Sequence, residues 1–164
     1  MATRGDNQEA MVTETEIIPD FNLDESISQV KSYKDEIETV IASLEYNDTA
    51  MVLKNEDGFL WKFQYGSVEV FVQLTGETSE DLLTVWSVVL NLPSKNDPAL
   101  MKKLLEMNWN ATFESCFAIF NNQVVISTQR TIEDLSPAEI SRAITLVATI
   151  ADENDDALQA EFAV

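Results

Sequence analysis

The chain is predicted to fold as an α+β domain: an antiparallel sheet of about five strands with helices packed on it, in the order α-β-β-β-α-β-β-α. Three observations lead there. Apolar residues recur at spacings of three and four near residues 30–44 and 140–151, and runs of period two lie between those stretches. The alternating runs come in pairs joined by short turns, which implies antiparallel pairing. Finally, 164 residues that are 45% hydrophobic are enough to bury one core without a metal or a disulfide.

The elements follow in order. Order is expected to begin near Asp24, where Val30, Tyr33, Ile37, Val40 and Leu44 mark one face of a helix and Asp24-Glu25 suit its positive end. Two heptads are too few for a coiled coil, so this helix is read as lying on the sheet. Phe59, Trp61, Phe63 and Tyr65, then Val68, Val70, Val72 and Leu74, form a hairpin about Gly66-Ser67. Asn55-Glu56-Asp57-Gly58 signals a turn, which makes Ala50–Lys54 a candidate further strand. Leu82–Asn91 is apolar in both phases and is expected to be covered on both faces. Asn96-Asp97-Pro98 opens a helix running to about Met107 through Leu100, Leu104 and Leu105. Strands at Thr112–Phe120 and Val124–Arg130 flank Asn121-Asn122, residue types that tolerate the positive φ of a tight turn. Ser136-Pro137-Ala138-Glu139 has the signature of a capping box, and Ile140, Ala143, Ile144, Val147, Ala148 and Ala151 continue as one apolar stripe. The expected division is a flexible acidic arm over 1–22, one domain over 23–158, and a short acidic tail over 159–164.

The formal charge is -19, from twenty-nine acids against ten bases. The ends are the most acidic, yet the stretch 27–151 still holds seventeen acids against nine bases. A surface of that sign repels phosphate backbones and anionic lipid, so neither nucleic acid nor a membrane is expected as a partner. The N-terminal stretch has no basic and apolar signal pattern and no apolar run approaches a bilayer span, so a cytoplasmic location is expected. In that setting Arg4-Gly5-Asp6 and the sequons at Asn47 and Asn110 carry no message.

Chemistry finds little to stand on. The chain has no His and one Cys, so the usual neutral-pH proton shuttle is missing and no disulfide framework forms. Its four glycines are dispersed, which excludes a phosphate-cradling loop and a dinucleotide turn. Asp152, Asn154 and Asp156 match the start of a calcium loop, but Ala157 stands where Gly is needed and Ala163 where the closing Glu is needed. The cluster is therefore read as a solvated, fraying helix end. Cys116, with no His to activate it, reads as an inert small core residue. No catalytic residue, metal or cofactor is assigned.

The row Phe59, Trp61, Phe63 and Tyr65 lacks the interleaved Lys and Arg of a nucleic-acid groove and reads as core. The opposite phase is more informative. Leu60, Phe71, Trp86 and Phe120 fall on the face that the two terminal helices would leave uncovered, and they are the candidate partner-binding residues.

The order of elements, with Asp81-Leu82-Leu83-Thr84-Val85-Trp86-Ser87-Val88-Val89-Leu90-Asn91-Leu92-Pro93 leading into Met101-Lys102-Lys103-Leu104-Leu105-Glu106-Met107-Asn108, resembles the YbjN family of bacterial proteins. Phe117-Ala118-Ile119-Phe120, Val124-Val125-Ile126-Ser127 and the helix from Ser136 extend the likeness to roughly residues 25–155. The resemblance implies a fold similar to the type III secretion chaperones, small acidic and usually dimeric proteins that bind extended segments of other proteins. It supplies no catalytic residues. The functional expectation is a non-enzymatic, chaperone-like or regulatory protein-binding module that holds a partner segment on the half-apolar sheet face or on a strand edge, and that also forms a homodimer. The alternative is a small-molecule binder or enzyme working through buried carboxylates, which a deep cavity of convergent acids would favour.

Overall fold

A computed structural model describes residues 32–45, 50–55 and 58–164. The proposed arm over 1–22 and the helix start at Asp24-Glu25 lie outside them. Helix α1 spans Tyr33–Leu44, capped by Ser32, whose hydroxyl accepts from the Asp35 N–H. Four strands follow: β1 (Met51–Asn55), β2 (Gly58–Tyr65), β3 (Val68–Leu74) and β4 (Leu82–Asn91). After α2 (Asp97–Asn110) come β5 (Cys116–Phe120), β6 (Gln123–Thr131) and α3 (Pro137–Phe162). Among the described residues the sheet has six strands, because the candidate at Ala50–Lys54 does form, as β1.

All pairings are antiparallel and the spatial order is β1-β2-β3-β4-β6-β5. Alternation decides the faces. Trp61 and Phe63 of β2, Val70, Val72 and Leu74 of β3, and Leu83 and Val85 of β4 are buried beneath the helices. Helix α3 crosses β4 and reaches β3, β6 and β2, while α1 packs against α3. Trp61 donates its indole N–H to Glu38 of α1, and the Tyr33 hydroxyl donates to the Ile132 carbonyl, so polar tips at the rim of the core are satisfied. A register shift between Val88 and Leu90 turns both Val89 and Leu90 inward.

Turn chemistry follows the sequence closely. Asn121 and Asn122 have φ of 48° and 61°. The capping box at Ser136 and Glu139 is complete in both directions.

Five expectations are corrected. Cys116 is exposed rather than part of the core, because it opens the edge strand β5 on the face turned away from the helices. Among the described residues the second phase of β4 is not covered by another layer: Leu82, Thr84, Trp86 and Val88 are only half-buried, because the three described helices lie elsewhere. Thr112–Ser115 is a turn and not strand, since the Thr112 hydroxyl donates to the Asn108 carbonyl, the Ser115 hydroxyl donates to the Thr112 carbonyl, and Phe113 takes φ 52°. The acidic cluster 152–156 is helix interior and not a fraying end. The Asp152 carboxylate accepts from the Ser67 N–H at 2.7 Å, and the Ser67 hydroxyl lies 3.0 Å from both Asp152 Oδ1 and Asp155 Oδ2. Helix α3 then continues to Phe162, through most of the stretch expected as a tail, because Leu158 and Phe162 extend its apolar stripe into the core.

Candidate partner-binding face of the sheet

The face opposite the helices is built by strand register. Lys62, Phe71, Trp86, Ser127 and Cys116 stand in one cross-strand row. Leu53, Leu60, Gln73, Thr84 and Gln129 stand in the next. Residues of one row share a face because side chains alternate along each strand.

The structure brings three of the four candidate residues together. The Phe71 and Trp86 rings stack with centroids 5.3 Å apart and planes 11° from parallel. Phe120 meets Trp86 edge-on, at 6.5 Å and 69°. Such pairs contribute about 0.5–1.5 kcal/mol beyond area burial, so the cluster holds its own shape before anything binds. Phe120 is nevertheless 53% exposed. Leu60 shares the face but stands one row away, opposite Gln73 and next to Leu53 of β1.

Beside the cluster lies a shallow groove lined by Trp86, Phe120, Ala118, Ile119 and Val125, with Gln73, Thr84, Ser127 and Gln129 supplying its polar groups. Val125 is buried here, apart from the helix-side core that takes its neighbours Val124 and Ile126. Sequence reasoning passed over Val125 and Ile119. Their signal was present, since Val124-Val125-Ile126 is apolar in both phases, as β4 is. The polar lining consists of amides and hydroxyls, among them the Gln129 amide donating to the Thr84 hydroxyl at 2.9 Å. Lys62, which spans the Phe71 ring at 5.8 Å, is paired with Glu69.

Titratable groups with shifted pKa values lie elsewhere, at caps and turns. Hydrogen bonds from the Ser136 backbone and hydroxyl, with the Arg130 guanidinium, lower Glu139 to about 2. Thr78 and Thr75 lower Asp81, Ser94 lowers Asp97, and Arg142 lowers Glu114. Among the described residues no group of three or more His, Cys, Asp or Glu side chains could hold a metal ion, and no helix is long and apolar enough to cross a membrane. The face offers stacked rings and neutral hydrogen-bonding groups.

The two sheet edges differ. Asn108 of α2 accepts from the Phe117 N–H at 2.7 Å and donates to the Phe117 carbonyl at 3.2 Å, occupying both outward backbone groups of β5 at that position. At the other edge β1 has β2 as its strand neighbour among the described residues, and Met51, Val52 and Leu53 are exposed.

Comparison with known proteins agrees with this architecture. One chain of the solved HopA1-SchA chaperone–effector complex shares the fold with a TM-score of 0.51 at 12% identity, over 76% of this chain and 93% of that one. No curated protein matches the chain. The model of one family, described as "Putative bacterial sensory transduction regulator", matches residues 33–160. On that match, which spans every described strand and all but the last two residues of the final helix, the chain belongs to the YbjN family.

Proposed function

We propose that the protein is a non-enzymatic binding module, chaperone-like or regulatory, that holds an extended segment of a protein partner on the open sheet face. The observation that carries this reading is the Phe71–Trp86–Phe120 cluster, preassembled on a face that none of the described helices covers. An apolar cluster beside neutral amides can take up alternate side chains of a strand while Gln73 and Gln129 serve its backbone. The fold neighbour comes from a chaperone–effector complex, which supports the same class of role. The buried acid Asp155 is engaged with Ser67 at the hairpin, away from the groove, so the groove offers no convergent carboxylates for the enzyme alternative. A cytoplasmic location and self-association belong to the same proposal.

The test is affinity capture from native lysate with the full chain and with a Trp86→Ala/Phe120→Ala variant whose circular dichroism matches it. One stoichiometric protein retained by the former and lost by the latter is the expected result. Equal retention by both would place binding off this face.

A further inference from the structure

Among the described residues the open sheet face is close to neutral. Lys62 and Glu69 are the charged residues in its cross-strand rows, and they are paired with each other at 2.5 Å. The groove, about 360 Å³ in volume, has no charged side chain in its lining among the described residues. In a chain of -19 such a surface constrains what can fill it. A Lys or Glu seated between Trp86, Phe120 and Val125 would lose its water and meet no counter-charge there, a cost that an uncharged side chain avoids. The part of a segment that occupies the groove is therefore uncharged, apolar toward the rings and amide- or hydroxyl-bearing toward Gln73, Thr84 and Gln129.

Charge gathers at one end instead. The groove follows β4 and β6, and Thr84 and Gln129 mark its end nearer the β3–β4 and β6–α3 connections. The Ile132 N–H donates to the Asp81 carbonyl at 2.9 Å, which ties these two connections together. Between them they carry Glu77, Glu80, Asp81, Glu133 and Asp134, all but Asp81 exposed. Arg130, which reaches this end from β6, is already held by Glu139. A strand advances about 3.4 Å per residue, so Asp81 lies about 10 Å beyond Thr84, three positions of extended chain. The field of the whole molecule has the same sign and draws a cationic segment toward the face.

We infer that the occupant of the groove is a segment of a basic protein: an uncharged, apolar centre with lysine or arginine beginning about three positions beyond it, over the Asp81–Glu133 end. An acidic segment is turned away by that end and by the overall charge, so the site selects by repulsion as well as by fit. This rests on the reading of the sheet face as a protein-binding site and narrows its partner.

Fluorescence anisotropy of labelled synthetic peptides, titrated with the full chain, provides the test. All share one uncharged core, Leu-Gln-Phe-Thr-Leu-Gln, and differ in a flank of Lys, Ser or Glu residues at one end. The Lys-flanked peptide is expected to bind about 10-fold tighter than the Ser-flanked one at low salt and the Glu-flanked one to bind weakest, with the gaps narrowing as salt rises. Glu80→Gln/Glu133→Gln should shrink the preference for Lys, whereas Glu153→Gln/Asp156→Asn, which removes the same charge from exposed positions of α3, should keep it. Trp86→Ala/Phe120→Ala should lose all three peptides. Equal binding of the Lys- and Glu-flanked peptides, at a site that Trp86→Ala/Phe120→Ala abolishes, would overturn this inference and leave the sheet-face reading standing. So would a preference for Lys that Glu153→Gln/Asp156→Asn reduces as much as Glu80→Gln/Glu133→Gln does. Binding that ignores Trp86→Ala/Phe120→Ala would overturn both readings. No binding of the Lys-flanked peptide would overturn the inference, and the capture experiment would then decide the sheet-face reading alone.

Discussion

Glu139 does two jobs at the start of α3. Its carboxylate accepts from the Ser136 N–H and hydroxyl and pairs with Arg130, which arrives from β6. These contacts favour the ionised form and hold its pKa at about 2, against an ordinary 4.5. Since the folded value is the lower one, ionised Glu139 stabilises the fold above pH 4.5, and that contribution is lost as pH falls toward 2. Gln at this position keeps a capping box but cannot pair with Arg130 or titrate. Glu139→Gln is therefore expected to melt below the parent protein at pH 7, with the gap closing between pH 4.5 and 2. Parallel thermal melts across that range check it, and a gap that stays constant with pH would mean the ionised form contributes nothing. Asn108 acts at the same scale. Asn108→Ala leaves the Phe117 N–H and carbonyl without their partner and should cost about 1–3 kcal/mol in urea unfolding.

Between elements, the β2–β3 hairpin is fastened to α3 through a single turn. Gly66 has φ 52°, and a Cβ there would lie 2.0 Å from Asp152 Oδ1. Gly66→Ala should thus destabilise the fold by about 2 kcal/mol, partly from the left-handed backbone and partly from displacing Asp152 off Ser67. Chemical denaturation measures this, and an unchanged midpoint would show that the hairpin does not depend on α3. This contact also explains why the sequence misled at Asp152–Asp156. Five polar residues in a row read as a helix end, and their partner, Ser67, lies far away in the chain. The capping box at Ser136, the Asn121-Asn122 turn and the strand phases were legible because each depends on residues within a few positions. The segment 112–115 was not, because hydroxyl-to-carbonyl bonds from Thr112 and Ser115 outweigh the weak strand preference of Thr-Phe-Glu-Ser. For the candidate face, alternation alone placed Phe71, Trp86 and Phe120 on one side. That Phe120 reaches back to Trp86 depends on β6 lying between β4 and β5, an order that hairpin signals do not encode. Leu105 was grouped with Leu100 and Leu104 by proximity in sequence, although a 100° step per residue carries it off their face.

At the scale of the whole molecule, the family match begins at residue 33 and the helical and sheet core is closed by α1, α3 and the strands. Residues 1–22 hold five acids, one base and no apolar period. Their removal is expected to leave the melting temperature within about 10 °C of the full chain, since a larger fall would signal a loss of several kcal/mol of core contacts. Calorimetry on the two lengths decides it.

The seal that Asn108 places on β5 sets a limit on growth. Of the five residues in β5, Phe117 and Ile119 direct their backbone groups outward, and Asn108 takes those of Phe117. No incoming strand can form a ladder on what remains, so any edge-to-edge pairing must use β1. A sheet that extends from one side stops at a pair, whereas two open edges would permit head-to-tail polymerisation into a filament. One amide side chain on α2 therefore keeps a six-stranded sheet with an apolar face from becoming the repeating unit of a fibre.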